Sequence, residues 1–154
     1  MDKLLTYNIT KDTVLRDFLK KEFSDTIAIR IKKVLGNMKI NGKPAIATDK
    51  VKKGDVLTIF LEENSKPYEI SKDLSLEVLY DDEDILIINK PKNVCSMSTN
   101  GHREDCVFAG LQFLYPGEVF RIVTRLDKDT EGLMLITKNA LSHSILNESK
   151  IVKK

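Results

Sequence analysis

The most informative segment of the chain is FRIVTRLDKDTEGLMLITKN, residues 120–139. It opens with apolar residues that predict an extended entry, and it continues through a polar loop containing Arg125 and Asp127. The apolar run GLMLIT then predicts a buried strand. Asn139 is a candidate N-cap for a helix over the following ALSHSILNE. The segment therefore predicts an extended entry, a polar loop, a core strand and a helix in succession.

The sequence before this segment predicts further strands and a linker. Residues 76–91, LEVLYDDEDILIINKP, have two apolar stretches around an acidic turn at 81–84, which predicts two strands. Apolar side chains recur at helical spacing over 105–114 and predict a short helix. The polar stretch 65–75 contains Pro67 and predicts a linker.

The first 64 residues predict a separate unit with two helices. Residues 1–12 alternate and predict an extended lead-in, and a first helix is expected after Thr13, which would act as its N-cap. A second helix is expected over 28–35, ended by Gly36 and Asn37 in left-handed conformations. Its expected apolar face comprises Ile31, Val34, Leu35 and Met38.

Short strands are expected after these helices. The pair Asn41-Gly42 between apolar flanks is a strong signal for a tight hairpin. Gly54-Asp55 predicts another turn, and the apolar residues that follow it predict a strand ending near Leu61.

Charge and composition restrict the classes of function. Residues 1–64 contain 13 Lys and Arg against 9 Asp and Glu, a net charge of +4, whereas residues 65–154 have a net charge of −2. The basic excess points weakly to nucleic acid, and ordinary surface charge gives the same composition. No apolar run approaches the roughly 20 residues of a membrane span. Two cysteines without CxxC spacing predict free thiols, no metal site and a cytoplasmic location.

The first unit resembles the S-four RNA-binding domain over residues 13–61. The shared features are the basic second helix, the NGK hairpin and the downstream KVKKGDVLTI. Cations on a helix and its adjacent loops can lie along an RNA backbone, where phosphate contacts supply affinity. The resemblance implies that RNA is bound by Arg30, Lys32, Lys33 and Lys43.

The later segments resemble the RluA/RluD-type RNA pseudouridine synthases. The shared pattern is RLD at 125–127, TEG at 130–132 and a buried strand ending at Lys138, preceded by NKP at 89–91. Thr124 departs from the pattern, because His or Asn is commoner before the arginine. The resemblance implies an α+β chain: an S-four-like domain at 1–64, a linker at 65–75, and the first part of a mixed or antiparallel sheet domain at 76–154.

The resemblance also implies a reaction and roles for individual residues. Uridine in RNA, in large-subunit ribosomal RNA by family analogy, would be isomerised to pseudouridine without a cofactor. Asp127 would be the catalytic carboxylate, and Arg125 would contact the substrate. Four residues would shape the surrounding loops: Lys90, Pro91, Thr130 and Gly132.

Two alternatives to an active enzyme remain open at this point. In the family the catalytic domain continues beyond the segment that matches here, so the 154-residue chain is expected to be catalytically silent. It is also expected to expose an unpaired sheet edge near residues 133–136, and its C-terminal half is expected either to be mobile or to bury that edge in a homodimer. The competing interpretations are a non-catalytic RNA-binding module from a truncated paralogue and an interaction domain that has lost both roles.

Overall fold

The computed structural model describes residues 2–148. They fall into two compact units, Asp2–Glu63 and a second that begins at Asn64. Within the described residues, no helix has the length and apolar character needed to cross a membrane. Both units combine helices with antiparallel sheets, so the predicted α+β class is confirmed.

The first unit is built around an antiparallel sheet with the strand order β1-β6-β3-β4. A separate pair joins β2 to β5. In chain order the elements are β1 (Lys3–Asn8), β2 (Thr13–Val14), α1 (Leu15–Glu22), α2 (Asp25–Lys33), β3 (Met38–Ile40), β4 (Lys43–Pro44), β5 (Lys50–Val51) and β6 (Val56–Leu61). The expected extended lead-in is therefore the sheet strand β1, which pairs with β6 along its whole length.

The start of α1 differs from the prediction. Thr13 lies in β2, opposite Val51, and Val14 occupies the N-cap position without a side-chain hydrogen bond to the helix. The predicted N-cap at Thr13 is therefore wrong. Leu15 and Leu19, one turn apart on α1, are fully buried.

Helix α2 begins three residues earlier than predicted and ends at Lys33. Ser24 starts it, because the Ser24 hydroxyl accepts a hydrogen bond from the Ile27 amide at 3.3 Å. With that start the buried face consists of Ile27, Ala28 and Ile31. The predicted face was wrong at two positions: Val34 and Leu35 are exposed.

The chain leaves α2 through a turn that was only partly predicted. Gly36 has a φ of +92°, as expected for a left-handed helix end. Asn37 is instead buried, and its carbonyl oxygen accepts a hydrogen bond from the Phe60 amide at 2.7 Å. The NGK hairpin is confirmed: Asn41 and Gly42 have φ of +50° and +82° between β3 and β4.

The second unit has an antiparallel sheet with the strand order β7-β8-β10-β9. In chain order its elements are β7 (Glu77–Asp81), β8 (Ile85–Lys90), α3 (Val107–Leu114), β9 (Arg121–Ile122), β10 (Gly132–Thr137) and α4 (Ala140–Glu148). Its core contains Leu76, Leu86, Ile88, Val94, Val107, Leu111, Phe120, Met134 and Ile136. The predicted strands around the acidic turn, the short helix and the buried strand are all confirmed.

The local signals in this unit act as the sequence predicts. Asp82 accepts hydrogen bonds from the amides of Asp84 and Ile85, which closes the acidic turn. The Asn139 side chain accepts from the Ser142 amide at 2.9 Å and so caps the start of α4.

The segment predicted to be a linker packs on the second unit. The Tyr68 hydroxyl donates to the Arg103 carbonyl at 2.9 Å, and the Lys72 amide donates to the Ala109 carbonyl at 3.1 Å. Leu74 packs against the core. Residues 65–75 therefore form hydrogen bonds and apolar contacts with the rest of the second unit.

The unpaired edge expected near residues 133–136 is wrong at Leu135 and Ile136, which have partners on the β9 side. β10 lies inside the sheet, between β8 and β9, and Ile136 pairs with Ile122 of β9. The Leu135 carbonyl also accepts a hydrogen bond from the Val123 amide at 2.9 Å. The homodimer stays a prediction, because β9 pairs with only Ile136 and Thr137 of β10.

Candidate active site

The loop between β9 and β10 exposes the two residues singled out by the sequence. Arg125 and Asp127 are both exposed, whereas Leu126 between them is partly buried and packs against the core. The Thr130 amide donates to the Asp127 carbonyl at 3.0 Å, which closes a turn around the aspartate. Leu126 therefore holds the loop to the core while its two charged neighbours face water.

Both ends of the loop are fixed by specific residues. At the entry, the Thr124 hydroxyl accepts a hydrogen bond from the Leu135 amide at 2.8 Å, so this departure from the family pattern completes the strand pairing. At the exit, Gly132 has a φ of +149°, which residues with a side chain rarely adopt. A Cβ at Gly132 would lie 3.5 Å from Leu126, an ordinary contact, so backbone conformation rather than space favours glycine there.

Lys90, at the end of β8, connects the Asp127 loop to the NKP turn through hydrogen bonds of its side chain. Its side chain is fully buried, with 0% exposure. The ammonium donates to the carbonyls of Pro91 and Val94, both at 2.8 Å, and to that of Lys128 at 3.2 Å. Buried charges are tolerated when they are hydrogen-bonded in this way. One buried cation thus joins the NKP turn to the loop that carries Asp127.

The surroundings of Lys90 have opposing electrostatic effects. Burial lowers the pKa of Lys90 below its ordinary value of 10.5, because the charged form loses hydration. Cys95, Asp129 and Asp127 act in the opposite direction and favour the ammonium form. Lys90 and Asp127 therefore interact electrostatically, although the lysine is buried and the aspartate is exposed.

Ser96 and Asn93 add two further ties to the loop. The Ser96 hydroxyl donates to the Leu126 carbonyl and accepts from the Leu126 amide at 2.9 Å. The Asn93 amide donates to the Lys128 carbonyl at 2.9 Å, and Asn93 adopts a φ of +66°. Residues 126–128 are thus held by a lysine, a serine and a backbone amide of the turn that follows β8.

Sequence reasoning selected Lys90 but missed Ser96. The period of two along β8 places Lys90 on the same buried face as Leu86 and Ile88, so its burial could have been inferred. The role of Ser96 depends on Leu126, a partner 30 residues away, which local pattern does not reveal.

The proposed RNA-binding residues lie in the first unit and differ in accessibility. Lys32, Lys33 and Lys43 are exposed, the first two in the last turn of α2 and the third in β4. Arg30 is partly buried, and its guanidinium donates to the Glu62 carbonyl at 2.9 Å. Arg30 is therefore also a structural tie between α2 and the end of β6.

A further group of chemically active side chains lies in the segment after the NKP turn, in a chain for which the cysteine spacing predicted no metal site. Cys95, His102 and Asp105 place their ligand atoms within 4.8 Å of one another. The His102 Nδ1 and an Asp105 carboxylate oxygen are 2.9 Å apart, and this hydrogen bond is the main cause that lowers the pKa of Asp105. The Lys128 ammonium lies 3.8 Å from the same carboxylate. The signal in the sequence was the spacing C-x6-H-x2-D.

Comparison with known proteins relates this arrangement to enzymes that modify RNA. The family described as RNA pseudouridylate synthase matches residues 84–154, which include the NKP turn and the Asp127 loop. The match does not reach the first unit.

Curated relatives align over more of the chain. Ribosomal large subunit pseudouridine synthase D of Escherichia coli K12 is 36% identical over 141 residues, 85% of this chain and 42% of the relative. The protein of that name from Buchnera aphidicola of Acyrthosiphon pisum is 34% identical over 146 residues, 90% of this chain and 44% of the relative. An uncharacterized RNA pseudouridine synthase of Bacillus subtilis is 34% identical over 120 residues, 75% of this chain and 42% of the relative.

The chain is similar to RNA pseudouridine synthases, a class of isomerases, as the resemblance of the RLDKDTEG segment indicated. It spans about two fifths of the length of the curated relatives it matches.

Proposed function

We propose that the chain is part of an enzyme that isomerises uridine to pseudouridine in RNA, with Asp127 as the essential carboxylate. The observation that carries this proposal is the exposed Asp127 on a loop whose backbone is fixed by Lys90 and Ser96, within the region that matches the synthase family. A loop held by buried donors presents a side chain in a defined position, which chemistry requires and simple binding does not.

The reaction suits a carboxylate without a cofactor. The bond between ribose C1′ and uracil N1 breaks, and a bond between C1′ and C5 of the same uracil forms. C5 then loses its proton to a base or to water, and N1 takes up a proton. No net oxidation or reduction occurs. A carboxylate can act as a nucleophile or stabilise positive charge that develops on the sugar. Asp127, accessible to a substrate, is the residue that we assign to this step.

Arg125 is proposed to contact the RNA beside Asp127. A uridine within folded RNA must leave its stack to reach an exposed loop, at a cost of a few kcal/mol. An arginine next to the carboxylate can bind a phosphate or fill the space that the flipped base leaves. Its exposure is compatible with either role.

Residues 2–63 are proposed to supply affinity for RNA as an S-four-like unit. The support is the exposure of Lys32, Lys33 and Lys43 together with the basic charge of this part of the chain. The name of the relatives that act on the large ribosomal subunit makes large-subunit ribosomal RNA the substrate that we propose. A cytoplasmic location follows from that substrate.

The test is pseudouridine formation on large-subunit ribosomal RNA transcripts. The 154-residue chain and any longer protein that contains it would be assayed with Asp127→Asn and with Asp129→Asn as the matched control. We expect Asp127→Asn to abolish product and to leave RNA affinity nearly unchanged, because the substitution keeps the shape and removes the carboxylate. Asp129→Asn should retain product. Full activity of the Asp127→Asn variant would show that Asp127 is not the essential carboxylate.

The same assay separates the enzyme from its main alternative. Because Asp127 and Arg125 are open to solvent, we propose that the 154-residue chain alone is silent, since a flipped uracil needs stacking contacts around it. Salt-sensitive RNA binding without product in every form of the protein would favour a non-catalytic RNA-binding module.

A further inference from the structure

The loop after the NKP turn brings together side chains that the proposed reaction does not use. Cys95, His102 and Asp105 are each partly buried, and their ligand atoms all lie within 4.8 Å of one another. Cys95 is a free thiol. The three come from one segment of 11 residues in the second unit.

Backbone hydrogen bonds fix the positions of these residues. The Cys95 amide donates to the Asp105 carbonyl, and the Val107 amide donates to the Cys95 carbonyl, both at 2.8 Å. The His102 amide donates to the Thr99 carbonyl at 2.9 Å and closes the turn between them. Cys95 and Asp105 therefore lie on adjacent backbone segments, and the turn between Thr99 and His102 places His102 near them.

The spacing suits a small tetrahedral ion. Ligand atoms around a tetrahedral zinc lie about 3.5 Å apart, given metal–ligand lengths of roughly 2.0 to 2.3 Å. His102 and Asp105 already approach more closely than that, with 2.9 Å between nitrogen and oxygen. The ligand atoms of all three residues lie within 4.8 Å of one another, about 1 Å more than this spacing requires.

We propose that Cys95, His102 and Asp105 form a binding site for a divalent transition-metal ion of the zinc class. The thiolate and the carboxylate together neutralise the ion, and the imidazole is its third ligand. Three protein ligands leave one position for water. A thiolate ligand selects zinc-like ions over Mg²⁺ and Ca²⁺, which prefer oxygen.

A lysine side chain already forms an ion pair with the carboxylate of this cluster. The Lys128 ammonium is 3.8 Å from the Asp105 carboxylate. A bound ion takes over as the partner of Asp105 and releases Lys128, whose backbone carbonyl remains held by Lys90. The site therefore connects the 95–105 segment to a residue adjacent to Asp127.

Metal titration of the chelator-treated chain tests the proposal without RNA. We expect one Zn²⁺ per chain by calorimetry and, with Co²⁺, a sulfur-to-metal charge-transfer band. Cys95→Ser should remove the band. His102→Ala and Asp105→Asn should weaken Zn²⁺ binding at least about tenfold, the smallest loss typical of outer-shell changes. The controls Cys106→Ser and His143→Ala should keep both the band and the stoichiometry.

A second measurement uses the unaltered chain, so that a variant that fails to fold leaves the test intact. Alkylation of Cys95 by iodoacetamide, mapped by mass spectrometry, should slow at least about tenfold in Zn²⁺ and remain unchanged in Mg²⁺. Equal alkylation rates with and without Zn²⁺ would overturn the proposal. So would a Co²⁺ band of the same intensity in Cys95→Ser.

Discussion

The Asp127 loop carries its charged group on a backbone fixed by hydrogen bonds. The basic residues of the first unit instead carry their charges at the ends of long exposed side chains. Asp127 lies on a backbone held by Lys90, Ser96 and the amide of Asn93, and two of these donors are buried side chains. The basic surface, defined here as Lys32, Lys33 and Lys43, carries exposed ammonium groups on long side chains at a helix end and a hairpin.

This difference matches two kinds of task. A reacting group must be held within a fraction of an ångström, so its loop needs buried hydrogen bonds that resist distortion. Attraction to phosphate falls off slowly and tolerates mobile side chains, so it needs only the right sign of charge in the right area. Substitutions in the two regions should therefore produce different kinds of loss.

The largest effect is expected from removing the buried cation. Lys90→Met leaves the carbonyls of Pro91 and Val94 without their donor, and the removal of a buried charge offsets only part of that loss. We expect the free energy of unfolding to fall by about 2–3 kcal/mol, measured by urea denaturation of the second unit. Pseudouridine formation should fall with it.

The matched control for Lys90 is its exposed neighbour Lys92. Lys92→Met removes the same charge from the same turn without removing a buried hydrogen bond. Equal urea midpoints for the two variants would contradict the role assigned to Lys90.

A smaller effect is expected at Ser96. Ser96→Ala removes the donor to the Leu126 carbonyl and the acceptor of the Leu126 amide. We expect a loss of about 1–2 kcal/mol in the free energy of unfolding, together with reduced turnover. Exposed Ser98 provides the control, and Ser98→Ala should leave both quantities unchanged. If Ser96→Ala retains the turnover of the wild type, the position of Asp127 does not depend on the hydrogen bonds between Ser96 and Leu126.

Charge reversal on α2 should change RNA affinity but not stability. Lys32→Glu with Lys33→Glu removes two exposed cations, so the slope of log affinity against log salt should become shallower by about 1.5. Lys20→Glu with Lys21→Glu makes the same charge change on α1. Filter binding at several salt concentrations should show a clear loss for the first pair and a weaker one for the second. Equal losses would mean that net charge, not the basic surface, governs affinity.

The smallest effect is expected at Tyr115, which lies outside both regions. Its hydroxyl donates to Asp81 at 2.8 Å, and burial, followed by this bond, raises the pKa of Tyr115 to about 12. The folded state favours the neutral phenol, so the contribution is complete below pH 10 and is lost as pH rises from about 10 to 12.

Tyr115→Phe keeps the ring and removes this pH dependence. We expect a cost below about 1 kcal/mol at neutral pH and a smaller decline in the urea midpoint between pH 9 and pH 11 than in the wild type. An unchanged decline in Tyr115→Phe would show that other groups account for it.

The parts of the molecule that were predictable are those set by local signals. Asn41-Gly42 defines its hairpin, Asn139 caps its helix, and the acidic turn joins its two strands. Each of these depends on residues within a few positions of one another. The start of α2 was equally local, but the Ser24 cap was overlooked and the predicted apolar face shifted toward the exposed Val34 and Leu35.

The parts that were not predictable depend on partners distant in sequence. Ser96 gains its role from Leu126, and the central position of β10 depends on pairing with β9 through residues near Ile122. The family resemblance predicted Asp127 as the catalytic residue. Only the structure shows which donors form hydrogen bonds with its loop. Those donors lie 30 to 38 residues earlier in the chain, and local periodicity carries no information about partners at that distance.

The central claim is that the Asp127 loop governs turnover and the basic surface governs RNA affinity. Its most direct test compares turnover and affinity in a single experiment. The turnover rate at saturating RNA and the dissociation constant for RNA would be measured for Ser96→Ala and for Lys32→Glu with Lys33→Glu, in an active form of the protein. The account predicts that Ser96→Ala lowers the turnover rate with an unchanged dissociation constant, while the double charge reversal raises the dissociation constant with an unchanged turnover rate. Both variants changing both quantities in proportion would contradict it.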